Sequence, residues 1–377
     1  MKENRIFISQ FHTSSNELKY VKNALHRNEM SNYGNNVNGF EVDLESYLGQ
    51  HSKITCLSSG TAALHLALIL AGVNSEDEVI CQSMTFSASA NPIVYLGANP
   101  IFVDSEIDTW NMCPEFLVEA INDRIYKGKK PKAIIVVHLY GMPAKMDEIC
   151  AIAKKYNIAL IEDAAEALGS TYKGQKCGTF GDFSILSFNG NKIISTSGGG
   201  ALVTNSEEQK NKAIFLATQA RDNAIHYQHS EIGYNYRMSN ILAGIGRAQM
   251  EVLNKHVELR RANNTFYREI FKDIKGVSVF KEPSEDYFSN HWLSCIVINH
   301  KKALISSEEL RIKIEAKNIE SRPLWKPMHL QPVFKNTPFY GNGISQKLFE
   351  TGLCLPSGSN LSENDFERIL NTINSSF

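Results

Sequence analysis

The chain has 377 residues, 43% of them hydrophobic and 21% charged, which is ordinary globular composition with enough apolar material for a large core without disulfide or metal staples. At roughly 150 residues per domain it makes two or three units. Its 39 Lys and Arg against 40 Asp and Glu leave a net charge of −1, and no basic stretch offers the clustered face that captures nucleic acid.

The opening MKENRIFISQFHT carries charges and no apolar run, so no signal peptide is expected there. The most apolar stretch, 62–73, contains His65 and is shorter than the roughly 20 residues of a membrane span. Cys56, Cys81, Cys113, Cys150, Cys177, Cys295 and Cys354 are odd in number and never form a Cys-x-x-Cys pair. A disulfide framework and a zinc knuckle are therefore poor readings, no metal site is expected, and a reducing cytoplasm fits better.

In chain order, β-rich apolar runs fall at 54–57, 78–81, 101–104, 133–137, 158–161, 184–188 and 201–204, with helix-like segments at 61–70, 114–121 and 146–156. Strands separated by helices read as βαβ crossovers, and runs that are apolar rather than alternating read as strands buried on both faces. The expected fold class is α/β, with a mostly parallel central sheet over 1–250. From about Ser239 the texture changes. One long helix is expected over 241–268, then strands at 276–280 and 291–298, a helix at 308–317 and a Pro-punctuated segment, together a smaller α+β domain over 251–377. No internal repeat or low-complexity tract is present.

Ligands of open α/β sheets bind beyond the carboxyl ends of the strands. After 54–57 comes Ser58-Ser59-Gly60-Thr61, small residues opening a helix whose N-terminus favours an anion; alone it is equally an ordinary N-cap. After 158–161 comes Glu162-Asp163-Ala164-Ala165-Glu166, where a carboxylate can pair with a cationic ring nitrogen or simply cap a helix. After 184–188 come Lys192 and Ser197-Gly198-Gly199-Gly200. A lysine there is a Schiff-base candidate, although most lysines are solvated. Together, an anion cradle, an Asp and a Lys match what pyridoxal 5′-phosphate requires.

These segments resemble the sugar aminotransferases of the DegT/DnrJ/EryC family, which have the aspartate aminotransferase-like fold (fold type I). The resemblance is carried by SSGTAALHLAL (58–68), TFSASANPIVYLGANPIFVD (85–104), HLYGMPAKMDEI (138–149), IEDAAEALGS (161–170), GTFGDFSILSFNGNKIISTSGGGALVT (178–204) and GYNYRMSNILAGIGRAQME (233–251). It implies Lys192 as the Schiff-base lysine and Asp163 as partner of the ring nitrogen. Gly60, Thr61 and Ser187 would hold the phosphate, Phe86 would lie on the ring, and Glu166 would sit near the 3-hydroxyl. Asn235 would reach the phosphate of a neighbouring subunit, which implies a homodimer with shared active sites.

SRPLWKPMHLQPVF (321–334) and CLPSGSNLS (354–362) look most like the UDP-4-amino-sugar, bacillosamine-pathway branch. The expected substrates are thus L-glutamate and a UDP-linked 4-keto-6-deoxy-N-acetylhexosamine, for surface glycan synthesis. Arg322, Trp325, Lys326 and His329 form a basic, aromatic patch suited to a diphosphate or carboxylate. Arg237 is expected to order its loop, and His65 to be a core histidine. His138 and Tyr140 lie at a strand end without an assignable role.

The sequence departs from commoner family patterns at 28–34, which bears on sugar choice, and at 196–200, a mark of the same branch. The alternatives are a dTDP- or GDP-linked 3- or 4-ketosugar substrate, a sugar dehydratase, and a non-catalytic protein that kept the fold. Lys192 disfavours the dehydratase, because such relatives carry His there.

Overall fold

The computed structural model describes residues 4–49 and 51–377. Its main sheet has eight strands in the spatial order Lys53–Leu57, Gly200–Thr204, Phe183–Ser187, Ala159–Asp163, Ala133–Val137, Glu78–Gln82, Asn99–Val103 and Phe339–Tyr340. All neighbouring pairs are parallel except those of Gly200–Thr204, which runs antiparallel to both strands beside it. The mostly parallel sheet expected from the apolar runs is present.

Alternate strand residues enter different cores, so both faces are covered. Ile135, Ile161, Ile185 and Leu202 pack with the Gly60–Leu70 helix. On the other face Ile134, Val136 and Leu160 meet the Pro114–Tyr126 and Met146–Tyr156 helices. Cys56, Leu186 and Val203 meet the Asn35–Leu48 helix. The Gly60–Leu70 helix is apolar all round because it is enclosed, as such helices are, and Gly60, Ala62–Ala63 and 64–68 are buried.

The single helix expected over 241–268 is two helices, Asn240–Met250 and Leu253–Phe271, separated at Val252 (φ −116°, ψ 3°). Each answers to a different core. Ala243 of the first packs with Phe40, and a Cβ at Gly246 would lie 2.5 Å from the Phe40 ring. Tyr267 and Phe271 of the second pack under the smaller sheet, with Ile296, Leu353 and Ile369. That sheet is antiparallel, in the order Val277–Val279, Ser294–Ile298, Gly352–Leu355, Arg322–Pro323.

Two crossings tie the parts together. Ile6 pairs with Ile319 beside the smaller sheet, and Phe339–Tyr340 returns to extend the large one along Phe102–Val103. The return is pinned by Asp104, fully buried just past its strand. Its carboxylate accepts the backbone N–H groups of Ser105, Asn342, Gly343, Ile344 and Ser345 at 2.7–3.1 Å.

Among the described residues no helix is long and apolar enough to cross a membrane, and no group of His, Cys, Asp and Glu is placed to hold a metal. All seven cysteines are free. Replacing Asp104 by Ala strands several buried N–H groups at once and is expected to cost roughly 3 kcal/mol or more. Chemical denaturation of wild type and Asp104→Ala measures it.

Candidate active site

A cavity of about 680 Å³ lies where the large sheet meets the smaller sheet. Its floor starts at the strand Lys53–Leu57. Ser59 follows in extended conformation, and its Oγ accepts the Ala62 N–H at 3.0 Å, capping the Gly60–Leu70 helix. First-turn N–H groups of a helix have no intrahelical acceptor, so those of Gly60 and Thr61 are available to an anion. A Cβ at Gly60 would lie 3.1 Å from Ser187 Cβ, and one at Gly200 would lie 2.3 Å from Gly60 N. Only bare backbone lets the helix end and the Ser187 hydroxyl share this space.

Asp163 closes its strand and is 6% exposed. Its Oδ2 accepts from Ser89 Oγ at 2.6 Å, and its Oδ1 from the Ala165 N–H at 3.1 Å. It lines the cavity and makes no ion pair among the described residues. Phe86 also lines it and is 59% exposed. An aromatic left open on an inner wall, 5.6 Å from the Trp325 ring, is not serving core packing.

Lys192 lies in the turns between Phe183–Ser187 and Gly200–Thr204, with a side chain only 12% exposed. Its Nζ is 3.2 Å from Glu166 Oε1 and 4.2 Å from the centre of the Trp292 ring. Glu166 also accepts the Tyr140 N–H at 2.7 Å. Burial pushes the Glu166 carboxyl up to about 7, against the opposing pull of Lys192 and the Tyr140 N–H.

Gly60, Thr61, Phe86, Asp163, Glu166, Ser187, Lys192, Arg322 and Trp325, all proposed from sequence, line this one cavity. Lys326 and His329 do not. Lys326 is exposed, and the His329 ring stacks on Phe339 at 3.7 Å while its Nδ1 meets Ser83 Oγ at 2.7 Å. The turn Met328–Leu330 after Pro327 carries the His329 side chain away from the mouth. Asn235 is exposed outside the cavity.

Arg237 donates to Glu41 and to the Cys56 carbonyl and orders its segment. His65 is buried among Tyr95, Tyr234 and Tyr236. His138 is buried against Glu162 at 2.7 Å and accepts the Ala144 N–H, away from the cavity. The Tyr140 hydroxyl accepts the Trp325 N–H at 2.8 Å.

Trp292, Ser9 and Glu320 line the cavity without having been expected. They come from the N-terminal segment and from the turns that lead into strands of the smaller sheet, where no strand-end rule applies. Ser89 was within reach of sequence reasoning, four residues past Thr85 in the TFSASA run.

An anion cradle, a rigid carboxylate, a buried amine and an open aromatic face on one cavity fit pyridoxal phosphate. Gly60, Thr61 and Ser187 would take its phosphate, Asp163 its ring nitrogen, Phe86 its ring face and Lys192 its aldehyde.

The family model described as DegT/DnrJ/EryC1/StrS aminotransferase matches residues 12–374. EpsN of Bacillus subtilis (strain 168) is 47% identical over 98% of this chain and 95% of its own length. The GDP-perosamine synthase of Escherichia coli O157:H7 is 39% identical over 95% of this chain and 94% of its own. Among solved structures, a DegT DnrJ EryC1 StrS aminotransferase from Brucella abortus superposes with a TM-score of 0.87 at 29% identity, covering 96% of this chain and 95% of that one.

Two outcomes follow from the geometry. Gly200→Ala, whose Cβ would press on the Gly60 N–H, is expected to weaken cofactor retention about tenfold or more, read as the dissociation constant for pyridoxal phosphate. Because the Glu166 carboxyl is raised in the fold, its contribution to stability is present below its ordinary value of 4.5 and is lost as pH climbs through about 7. Thermal melts of the cofactor-free protein across that window should therefore fall less steeply for Glu166→Gln than for wild type.

Proposed function

The chain belongs to the DegT/DnrJ/EryC1/StrS aminotransferase family and is a pyridoxal phosphate-dependent sugar aminotransferase. From that premise we propose that it moves the amino group of L-glutamate to C4 of a UDP-linked 4-keto-6-deoxy-N-acetylhexosamine. The observation that carries this reading is the buried Lys192 amine on the same cavity as Asp163 and the open helix N-terminus.

Bound there, pyridoxal phosphate supplies an electron sink and an aldehyde carbon that carries the amino group from donor to acceptor. Lys192 Nζ takes the proton from Cα of glutamate in the first half of the cycle. In the second half it returns a proton to C4 of the sugar. Glu166 Oε1 lies 3.2 Å from that nitrogen and holds it by a hydrogen bond, and burial pushes its own carboxyl up to about 7. Asp163 would face the ring nitrogen, with Ser89 and the Ala165 N–H fixing its orientation. The aromatic wall of Phe86, Trp325 and Trp292 keeps bulk water from the lysine.

At the mouth, Arg322 is oriented by Glu320, which accepts from its Nε and Nη2 at 2.8 and 2.6 Å. The other guanidinium edge remains for the sugar diphosphate or the glutamate carboxylate. Asn235, on the outer surface, serves the phosphate of a second subunit in a homodimer. The enzyme acts in the cytoplasm on precursors of surface glycan.

The UDP reading is supported by the segments 321–334 and 354–362. A GDP-linked ketosugar is the second reading, favoured by the similarity to GDP-perosamine synthase. Loading the aminated cofactor and adding UDP-, GDP- or dTDP-linked 4-keto-6-deoxy sugar separates them. The absorbance band of the lysine-bound cofactor should return with the UDP sugar. Return with the GDP sugar alone keeps the chemistry and overturns the nucleotide, and return with none favours a non-catalytic role. Lys192→Ala is expected to lose both that band and turnover, and retained transamination would sink the assignment.

A further inference from the structure

The peptide that carries Lys192 is held from outside the large sheet. The carbonyl oxygen of Asn191, one residue before the lysine, accepts two hydrogen bonds, from Trp292 Nε1–H at 2.8 Å and from Ser9 Oγ–H at 2.7 Å. Those donors are joined to each other by Arg260 in the Leu253–Phe271 helix. Its Nη1 donates to the Trp292 carbonyl at 2.5 Å and its Nη2 to Ser9 Oγ at 2.9 Å.

Arg260 is 1% exposed, and its Nε has no partner among the described residues. Both of its acceptors are uncharged, and burial lowers its pKa to about 9. A buried guanidinium with neutral acceptors and an orphaned donor is unfavourable for stability, and such a group calls for an explanation beyond packing.

Trp292 adds a second restraint. Its ring is 4.2 Å from Lys192 Nζ, a cation–π distance. The turn that presents it is stiff: His291 has φ +46° and the Trp292 N–H donates to Asn290 Oδ1 at 2.8 Å. Asn290 Nδ2 in turn donates to the carbonyls of Glu166 and Leu168 at 2.8 and 2.9 Å. One turn of the smaller domain therefore holds the Glu166 backbone on one side and the Lys192 backbone on the other.

We propose that Arg260, Ser9 and Trp292 are positioning residues for Lys192, fixing the Asn191–Lys192 peptide so that Nζ returns to one place each time it leaves the cofactor and serves as base. This rests on the reading of Lys192 as the lysine that bonds the cofactor. The nitrogen works in two positions during a cycle, and a misplacement of about 1 Å can cost about a hundredfold in rate. The network sets that position from three separated segments of the chain.

The test compares Ser9→Ala, Trp292→Phe, their double variant and Arg260→Lys with wild type. Ser9→Ala removes the hydroxyl bonds to the Asn191 carbonyl and to Arg260, Trp292→Phe removes the indole bond to that carbonyl, and Arg260→Lys removes the fork that joins Ser9 to Trp292, each keeping most of the side-chain volume. Four quantities are read: kcat, KM for each substrate, melting temperature, and the rate at which the lysine-bound absorbance band forms when pyridoxal phosphate is mixed with cofactor-free protein. The expected result is a fall of about fivefold in kcat and in band formation for each single variant, and a larger fall for the double. Both KM values and the melting temperature should stay near wild type.

Unchanged kcat and band formation in the double variant would overturn the proposal. So would a loss of kcat that merely follows a lower melting temperature or a matching rise in both KM values, which would mean general loosening. Lys192→Ala separates the premise: if its band persists, the reading of Lys192 fails first.

Discussion

The site depends on one close approach between backbones. The strand Gly200–Thr204 inserts antiparallel between Lys53–Leu57 and Phe183–Ser187, and Gly200 faces both Leu57 and Ser187. At that point the N-terminus of the Gly60–Leu70 helix is so near that a single methyl group on Gly200 would meet Gly60 N at 2.3 Å. The contact brings an anion-binding helix end to a serine hydroxyl. It also forces the chain between Ser187 and Gly200 to loop out over the cavity, and Lys192 rides on that loop. Parallel neighbours would have needed a long crossover there, and the lysine would have had no reason to stand beside Asp163.

Burial then sets the electrostatics. Lys192 and Glu166 face each other with side chains 12% and 4% exposed, in surroundings where water screens little. The lysine favours the ionised carboxylate, and desolvation opposes it more strongly, so Glu166 titrates near neutrality. Asp163 has other partners, a hydroxyl and a backbone N–H that hold it in a fixed orientation. Two carboxyl groups three residues apart thus take different roles through their surroundings alone.

Sequence reasoning reached the parts that obey the strand-end rule. Thr61 and Asp163 were legible because each follows an apolar run, and such runs fix both the sheet and its carboxyl edge. Ser187, Phe86 and Glu166 came from the family resemblance, and all three line the one cavity. His329 and Lys326 were grouped with Trp325 by proximity in the chain, yet the turns after Pro327 send His329 to Phe339 and Ser83. The break at Val252 was illegible because both sides of it are good helix sequence, and only two separate cores, around Phe40 and around Tyr267, require it.

The sequence by itself determined the α/β architecture, the carboxyl edge where ligands bind, and the amine, carboxylate and cradle that suit one cofactor. Local periodicity and motif chemistry carry those, since each lies within one strand and the turn after it. Tertiary structure alone decided what surrounds Lys192. Trp292, Ser9, Arg260 and Asn290 come from segments separated by up to about 280 positions, and nothing in a single stretch of chain encodes their meeting. Their convergence follows from packing the smaller sheet with its helices and the N-terminal segment against the large sheet, a long-range outcome of burial rather than of any local preference.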